Sequence, residues 1–592
     1  MAGLPTTQHD SSSLDVSDRP HSPIEAAASS KHGLRETDTN RSNNNASSSH
    51  TDVSESPESK RMWDVPGLVR TCWHKYKLVW TLSIWSILSG YFIASLVLKR
   101  KTQLSDILPF IFLYVFVSGK MLFALTGTSF ITRPLKMASQ SVRPSRLRRI
   151  PLWLQYLLGL SVLLSVVLAV SLAVPEDSTG RRVDRMQSLL GILVIMALLV
   201  ATSKHPKSIQ WRTVLVGCLL QFVLGCIVVK TRWGSDLFTW MASIASGLLG
   251  FSSYGTKFLL GDKIGGLSDV FAISVMPAIV FFAAFIEVVY YLGGMQWLLK
   301  KLGWVFQKLL CTSGAESIVA AASPFLGMSE NVLLVKDYVE HMTNSELHAC
   351  MTAGFATVSG STMQGYIVLG VDAKNIITAC IMSIPCSLAL SKIRYPETEE
   401  SLTRGVIVEP PRRTDQANIL HALANGAAVG LNLSLLMAAS LIAIISLVNL
   451  VDFLLTWLGQ FIGIHQLTLE LILGYLLYPY AWLLGVPSKD ILSVSRLLGL
   501  KFITNEFVAY QQLTGSSNGS TALKSFLSNR ALTIAEFALC GFGNLGSIAI
   551  QIGTLGALAP SRKADVSRLA LSACITGSIA TTITAAIVSM VL

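Results

Sequence analysis

The sequence is poor in charged side chains, which make up 14% of its 592 residues. Soluble domains carry about a quarter. With 51% hydrophobic residues and a mean hydropathy of +0.53, this chain cannot form a water-soluble globule. Apolar runs long enough to cross a bilayer recur after residue 77. The scarcity of charge therefore excludes a soluble enzyme or binding domain and predicts a membrane protein.

Cysteine pairs and catalytic motifs are also missing. None of the nine cysteines lies in a CxxC pair, so neither a disulfide framework nor a metal site is predicted. The apolar runs lack an HExxH pair, paired aspartates or a Ser/His arrangement, so we expect no enzyme and no cofactor. The net charge is +12, and the Lys and Arg residues lie in short loops between apolar runs. This positive-inside pattern indicates a membrane lipid environment and argues against a nucleic-acid partner.

The first 60 residues contain no Phe, Trp or Tyr and fourteen Ser. Such a segment cannot bury enough apolar surface to offset the entropy lost on ordering. We therefore predict a disordered cytosolic tail at 1–76. No apolar core follows Met1 within 30 residues, so no cleavable signal peptide is expected.

Hydropathy predicts an all-α polytopic protein with about eleven transmembrane helices. Three amino-terminal spans lie within 77–187, and 188–592 forms the core. The predicted spans are 78–98, 107–126, 151–174, 188–203, 213–229, 269–292, 345–369, 375–391, 431–457, 530–556 and 567–592. Six cations between the second and third spans place the amino terminus in the cytosol, and the parity then places the carboxyl terminus outside. We expect the plasma membrane as the location.

Three further segments qualify this count. Residues 235–262 are typical of an interfacial amphipathic helix. Whether the run 466–486 spans the membrane is left undecided, because its hydropathy favours a span while Glu470, Gly474 and Pro479 interrupt it. Asn518 begins a glycosylation sequon on the predicted outer side, but such tripeptides are often unused.

Two segments, 311–341 and 488–513, are long enough to cross the membrane but contain helix-breaking and charged residues. A carboxylate in hydrocarbon costs roughly 2.5–3.5 kcal/mol on insertion scales, so Glu330 and Glu506 require a buried or hydrated setting. Each segment precedes a spanning run with small and polar residues at its middle. We predict two re-entrant hairpins, each followed by an interrupted helix. Paired discontinuous segments of this kind indicate the substrate site of a secondary transporter.

The polar residues of these segments favour a neutral solute. They supply carboxylates, hydroxyls and amides without a matching cationic set, as Ser329, Glu330, Asn505, Glu506, Asn544 and Ser547. Such groups suit a polyhydroxylated or heteroaromatic molecule. An anionic solute would more naturally recruit Arg.

Four blocks of the sequence resemble the signature blocks of the concentrative nucleoside transporters. They are SGAE at 313–316, GMSEN at 327–331, NEFVAY at 505–510 and GFGNLGS at 541–547. The resemblance covers roughly 188–592, with the blocks in order and at compatible spacing. The three extra amino-terminal spans are similar to those of the eukaryotic members. The overall pattern resembles that of a fungal-type, proton-coupled member.

The resemblance implies a homotrimer whose protomers have a scaffold domain and a mobile transport (elevator) domain that holds one nucleoside. By the same resemblance, Gly327, Met328, Ser329 and Glu330 would contact the base. The residues expected to contact the ribose are Glu506, Asn544 and Ser547, with Phe542 packed nearby.

Two departures from the family pattern bear on coupling and selectivity. Sodium-coupled animal members carry Asn at the position of Ser323, where the ion is also bound by a hydroxyl at the position of Thr357 and by backbone carbonyls. Since Ser323 is shorter, we expect protons to be favoured over sodium as the coupling cation, with Glu330 as the proton carrier. Met328 resembles the purine-preferring branch, which predicts purine nucleosides first and uridine second.

Two alternatives remain open at this stage. A sodium-coupled nucleoside symporter would share the same fold and solute. A polar-solute channel would also place polar groups at mid-membrane, although it should show a continuous polar stripe or a filter ring rather than two closed tips.

Overall fold

The computed structural model describes residues 77–98, 114, 118, 159–161, 163–169, 181–261, 271–405, 408, 416–461, 463, 467–515 and 523–592. The predicted tail 1–76, most of the predicted span 107–126 and the Asn518 sequon lie outside them. Every long regular element in the described ranges is a helix, which confirms the predicted all-α class.

Besides the helical residues within 159–169, the described part of the chain contains twenty α-helices. In chain order they are α1 Lys77–Leu98, α2 Arg182–Ala201, α3 Trp211–Lys230, α4 Arg232–Leu260, α5 Phe271–Tyr291, α6 Gly294–Leu310, α7 Gly314–Ala322, α8 Met328–Leu333, α9 Lys336–Val339, α10 Asn344–Ala356, α11 Gly360–Val368, α12 Ala373–Arg394, α13 Ile419–Phe461, α14 Leu469–Leu476, α15 Tyr478–Leu483, α16 Ile491–Ile503, α17 Glu506–Thr514, α18 Asn529–Leu539, α19 Leu545–Leu558 and α20 Lys563–Val591.

By internal packing the chain divides into two units, 1–127 and 128–592. In the first unit, α1 contacts two residues of the predicted second span. Trp85 Nε1 donates to Ser118 Oγ at 3.1 Å, and the hydroxyls of Ser89 and Tyr114 are 2.7 Å apart. These bonds join polar groups that lie in otherwise apolar segments.

Five described helical stretches are long and apolar enough to cross a membrane, namely α2, α3, α12, α13 and 560–591. The pair α5 and α6, bent by 80°, would add a sixth if counted as one span. The predicted spans 345–369 and 530–556 correspond to the helix pairs α10–α11 and α18–α19. Neither pair counts as a membrane span by length and composition, because each helix is too short to cross by itself. The count of about eleven spans therefore stays a prediction.

Helix α13 begins at Ile419, whereas the predicted apolar run began at 431. Its first turns contain Ala, Gly and Asn, which carry little hydropathy but allow close approach to α5. A Cβ on Gly426 would lie 2.7 Å from Ala284 Cα, so the two backbones almost touch there. Ala422, Gly426, Gly430 and Ser434 continue this buried face along α13. Small residues at a spacing of four permit such packing in membranes.

Helices α12 and α20 form the centre of the larger unit, and most of their side chains are buried. Helix α10 packs against both, α3 packs against α12, and α18 packs against α20. Both predicted interrupted helices are therefore held by the same central pair.

The two predicted hairpins consist of short helices separated by breaks. Residues 311–341 contain α7, α8 and α9, with non-helical residues between Ala322 and Met328. Residues 488–513 contain α16 and α17, which are separated at Thr504 and Asn505. The segment 466–486 forms α14 and α15, of 8 and 6 residues, and neither is long enough to cross a bilayer.

Glu316 at the start of α7 is fully buried, and its position explains how the chain tolerates it. Its side chain and that of Ser313 form a capping box at the first turn of α7. Lys392 near the end of α12 forms an ion pair with Glu316 and a second one with Glu397 at 3.2 Å. This buried network attaches α7 to α12.

Candidate functional site

The two interrupted helices contact each other at their breaks. Helices α10 and α11 are separated by residues 357–359, and α18 and α19 by residues 540–544. The backbone N–H of Phe542 in one break donates to the carbonyl of Thr357 in the other at 3.3 Å. Breaks leave backbone groups without helical partners, and such groups are tolerated at membrane depth only inside protein or beside water.

Gly541 makes the second break possible. Its φ of +150° is a conformation that other residues rarely adopt. A Cβ at this position would lie 2.6 Å from Thr581 Cγ2 and 3.0 Å from the carbonyl oxygen of Phe355. Only glycine therefore lets the break pass between α10 and α20.

Glu506 lies at the first position of α17 and joins the second hairpin to both interrupted helices. The hydroxyl of Tyr366 donates to its Oε1 at 2.8 Å, and Nδ2 of Asn544 donates to its Oε2 at 3.0 Å. The side chain of Glu506 is buried, as are those of both partners. A carboxylate has about four lone-pair positions, so each oxygen can still accept a hydroxyl.

Asn544 and Ser547 belong to the same group of residues. Asn544 caps α19, because its Oδ1 accepts the backbone N–H of Ser547 at 2.8 Å. Asn505 caps α17 in the same way by accepting the N–H of Val508 at 3.0 Å. Both caps hold their amides at helix starts, where Nδ2 of Asn544 reaches Glu506. The structure thus brings Glu506, Asn544 and Ser547 together.

Tyr366 and Lys501 are parts of this site that sequence reasoning did not assign. Tyr366 lies in an apolar run, where an aromatic residue normally indicates packing, and its ring contacts those of Phe507 and Tyr510. Lys501 is fully buried and donates to the carbonyl of Ala538 at 2.9 Å. That carbonyl lies near the carboxyl end of α18, where a cation is favourable. The only signal for Lys501 was a charge inside a predicted hairpin.

The four residues expected to contact a base lie around the start of α8. Gly327 is the residue before this helix, Met328 is buried, and Ser329 and Glu330 are partly exposed. Glu330 lines a cavity of about 530 Å³ together with Phe325 and Ser361. The lining of this cavity does not include Glu506 or Asn544.

Asn544 borders a second, largely apolar cavity of about 320 Å³. The two groups of predicted residues therefore face different spaces, although α8 packs against α19. Phe542 is buried; its backbone N–H donates to Thr357 as described above, and its carbonyl accepts the backbone N–H of Asn544 at 2.9 Å.

Of the three residues predicted to bear on the coupling cation, Ser323 and Thr357 are buried, whereas Glu330 is partly exposed. Ser323 Oγ donates to the carbonyl of Val319 at 2.8 Å, and Thr357 Oγ1 donates to the carbonyl of Ala353 at 3.0 Å. Ser323 Oγ also accepts Nδ2 of Asn331 at 2.9 Å. Oδ1 of Asn331 is buried and accepts no hydrogen bond from the described part of the chain. The carboxamide of Asn331, eight residues further along the chain, is therefore next to Ser323, with its nitrogen toward the Ser323 hydroxyl.

Three family models match the larger unit of the chain. The model described as the Na⁺-dependent nucleoside transporter amino terminus matches residues 190–263, and the corresponding carboxyl-terminus model matches 375–589. A model described as nucleoside recognition matches the intervening residues 272–372.

Curated relatives and solved structures point the same way. Sodium/nucleoside cotransporter 1 of Oryctolagus cuniculus is 36% identical over 76% of this chain and 69% of its own length. Solute carrier family 28 member 3 of Mus musculus is 35% identical over 87% of this chain and 73% of its own. The solved structure of CNTnw in an inward-facing substrate-bound state is 36% identical, with a TM-score of 0.64 over 69% of this chain and 97% of that one.

These comparisons correct one prediction. The relatives are named sodium/nucleoside cotransporters, which contradicts the expectation that protons are favoured over sodium. That expectation depended on a lost carboxamide at Ser323. In the structure, the Ser323 hydroxyl accepts a hydrogen bond from the carboxamide nitrogen of Asn331. The same names give the channel alternative no support.

Proposed function

Because the chain belongs to the concentrative nucleoside transporter family, we propose that it is a sodium-coupled symporter that imports nucleosides by an alternating-access elevator mechanism. It is a membrane transporter rather than an enzyme. The observation that carries the proposal is the buried Glu506 carboxylate, which is hydrogen bonded at one oxygen to Tyr366 and at the other to Asn544.

In the proposed binding mode, Glu506 accepts hydrogen bonds from the ribose hydroxyls on its remaining lone pairs. Asn544 and Ser547 complete the ribose contacts, and Phe542 packs nearby. The geometry supports this role because Glu506 connects the second hairpin to both breaks, so a solute bound there would stabilise one arrangement of all three. A neutral polyhydroxylated solute also suits a site where the nearest cation, Lys501, donates to a backbone carbonyl instead.

The base would contact Gly327, Met328, Ser329 and Glu330 at the first hairpin. The Met328 thioether packs on a large ring but cannot donate a hydrogen bond to a pyrimidine carbonyl. We therefore place purine nucleosides first and uridine second as substrates.

Sodium would bind near Ser323, Thr357 and Asn331. A hard cation requires several oxygen ligands. Two hydroxyls and the Oδ1 of Asn331 are available there. The breaks that follow α7 and α10 add backbone carbonyls that would be hydrogen bonded within a continuous helix. Coupling then requires that sodium and nucleoside favour each other's binding. The contact between Phe542 and Thr357 offers a physical route, since it joins the break beside the cation to the break beside the ribose.

The movement would divide the core into two parts. The closely packed pair α5 and α13 suits the scaffold, whereas the two hairpins and both interrupted helices would move with the solute. We further propose a homotrimer in the plasma membrane, with a cytosolic amino terminus and an extracellular carboxyl terminus. The large apolar exposed surface of α13 is consistent with contact to lipid and neighbouring protomers.

The experiment that tests this function is uptake of radiolabelled adenosine and uridine into cells expressing the protein. Sodium is replaced by choline, at acid and at neutral pH. We expect saturable adenosine uptake that is lost in choline at both pH values. Uptake that persists in choline would overturn sodium coupling, and the absence of saturable uptake in every condition would overturn the proposed transport function.

A further inference from the structure

The cavity next to Glu330 has a second wall made by a different part of the chain. Its volume of about 530 Å³ lies within the range of small-molecule sites. Glu330 comes from the first hairpin, whereas the opposite lining includes Glu287 on α5 and Asn425 and Asn432 on α13. Gln416, just before α13, adds a third amide to this wall, and Lys336 and Ser361 are the other polar residues that line the cavity.

Asn425 and Asn432 are unusual in a helix as apolar as α13. They are two turns apart, so they lie on one face of the helix at a separation of about 10 Å along its axis. Neither belongs to the small-residue face that packs on α5. Neither amide makes a hydrogen bond to any described residue, and both are at least partly exposed. Helix packing therefore does not account for them.

Asn449 on the same helix shows the usual alternative. Its Nδ2 donates to the carbonyl of Ile445 at 2.8 Å, so the side chain satisfies itself against its own helix. An asparagine without such a bond keeps both donor and acceptor available. Polar side chains in membrane helices commonly mark the path of a solute.

The end of the wall near Glu287 contains a further unused acceptor. Nε2 of Gln416 donates to Glu287, and both side chains are more than nine-tenths buried. Oε1 of Gln416 is also buried but accepts no hydrogen bond from any described residue. This wall thus offers three amides to whatever occupies the cavity.

We infer that this wall is a second binding surface for the nucleoside, on which Asn425 and Asn432 contact the base opposite Glu330. The inference depends on the proposed function. A carboxamide pairs with adenine by donating to the ring nitrogen N7 and accepting from the N6 amino group. The wall would not follow the first hairpin, because α5 and α13 are packed backbone to backbone. The nucleoside would therefore pass from contacts on the moving first hairpin to contacts on the stationary helices α5 and α13.

The test compares Asn425→Ala and Asn432→Ala with Asn449→Ala as the matched control on the same helix. Radiolabelled adenosine and uridine uptake is measured over a range of concentrations, with surface expression measured in parallel. We expect each cavity variant to raise the KM for adenosine by roughly 3- to 10-fold, the scale of one hydrogen bond, with a smaller effect on uridine. Asn449→Ala should match the unmodified protein.

A second measurement covers variants that fold poorly. Asn432→Cys is labelled with a maleimide in sodium, with and without adenosine, and modification at this position is followed by mass spectrometry. Adenosine should slow labelling of Asn432→Cys and leave Asn449→Cys unchanged. Equal labelling with and without adenosine, or cavity variants with the KM of the control, would overturn the inference. If the unmodified protein takes up no adenosine, the proposed function fails instead.

Discussion

At the scale of single residues, the site depends on how each polar group is held. Glu506 has one partner on each carboxylate oxygen, and both partners come from the interrupted helices. The sequence predicted Glu506, Asn544 and Ser547 as site residues because they stand out in apolar runs and match two signature blocks. It could not identify Tyr366, since an aromatic residue in an apolar run looks the same whether it packs or donates a hydrogen bond.

Glu506→Gln should abolish nucleoside transport while leaving the fold intact. The amide nitrogen of Gln is a donor, so it would face either the donating Tyr366 or the donating Asn544. The variant would also lose the charge-assisted hydrogen bonds between the carboxylate and the ribose, each of which contributes about 1.5–3 kcal/mol. We expect adenosine uptake efficiency to fall by at least about a hundredfold in tracer assays. The exposed Glu399→Gln should have no effect, and near-normal uptake by Glu506→Gln would remove the ribose assignment.

Asn331→Ala should weaken sodium binding without removing the nucleoside site. It deletes a buried carboxamide oxygen that accepts no hydrogen bond from the described residues, and we expect the half-saturating sodium concentration for adenosine uptake to rise by about tenfold. The double variant Ser323→Asn with Asn331→Ala returns a carboxamide to position 323 and should restore part of the sodium affinity. An unchanged sodium dependence in Asn331→Ala, with Asn449→Ala as the control, would show that Asn331 is not a ligand.

At the scale of elements, the breaks were predictable and some helices were not. Clusters of Gly, Ser and Asn predicted interruptions that the structure has at 357–359 and 540–544. Helix α6 was missed because it is amphipathic rather than apolar. The first turns of α13 were missed because Ala and Gly contribute packing against α5 instead of hydropathy. Close backbone approach is a tertiary effect that a single helix does not reveal.

Gly541→Ala should disrupt the second break. The added Cβ meets Thr581 and the backbone of Phe355, and the φ of +150° is strained for alanine. Strain of this kind costs about 1–3 kcal/mol before any overpacking. We expect a lower melting temperature of the purified protein and loss of adenosine uptake.

Gly553→Ala is the matched control for that substitution. Gly553 lies in the adjoining helix α19, and a Cβ there would have no neighbour within 4 Å. Alanine should be neutral or slightly stabilising because it favours helix. If both variants behave alike, the break does not depend on the special conformation of Gly541.

At the scale of the whole molecule, composition alone predicted a helical membrane protein, and four signature blocks predicted the family. The coupling cation could not be predicted in this way. Ser323 was compared with its counterpart at one position, whereas the hydroxyl is bonded to Asn331 from the next helix. A ligand set is defined in space, so a substitution at one position says little until its neighbours are known.

The most direct test of the transport mechanism is adenosine accumulation in proteoliposomes that contain the purified protein. An inward sodium gradient is imposed, and internal radiolabelled adenosine is compared with the external concentration. The account predicts accumulation above the external concentration that disappears when sodium is equal on both sides, and none with Glu506→Gln. Simple equilibration under the gradient, or equal accumulation without it, would contradict a sodium-driven nucleoside symporter.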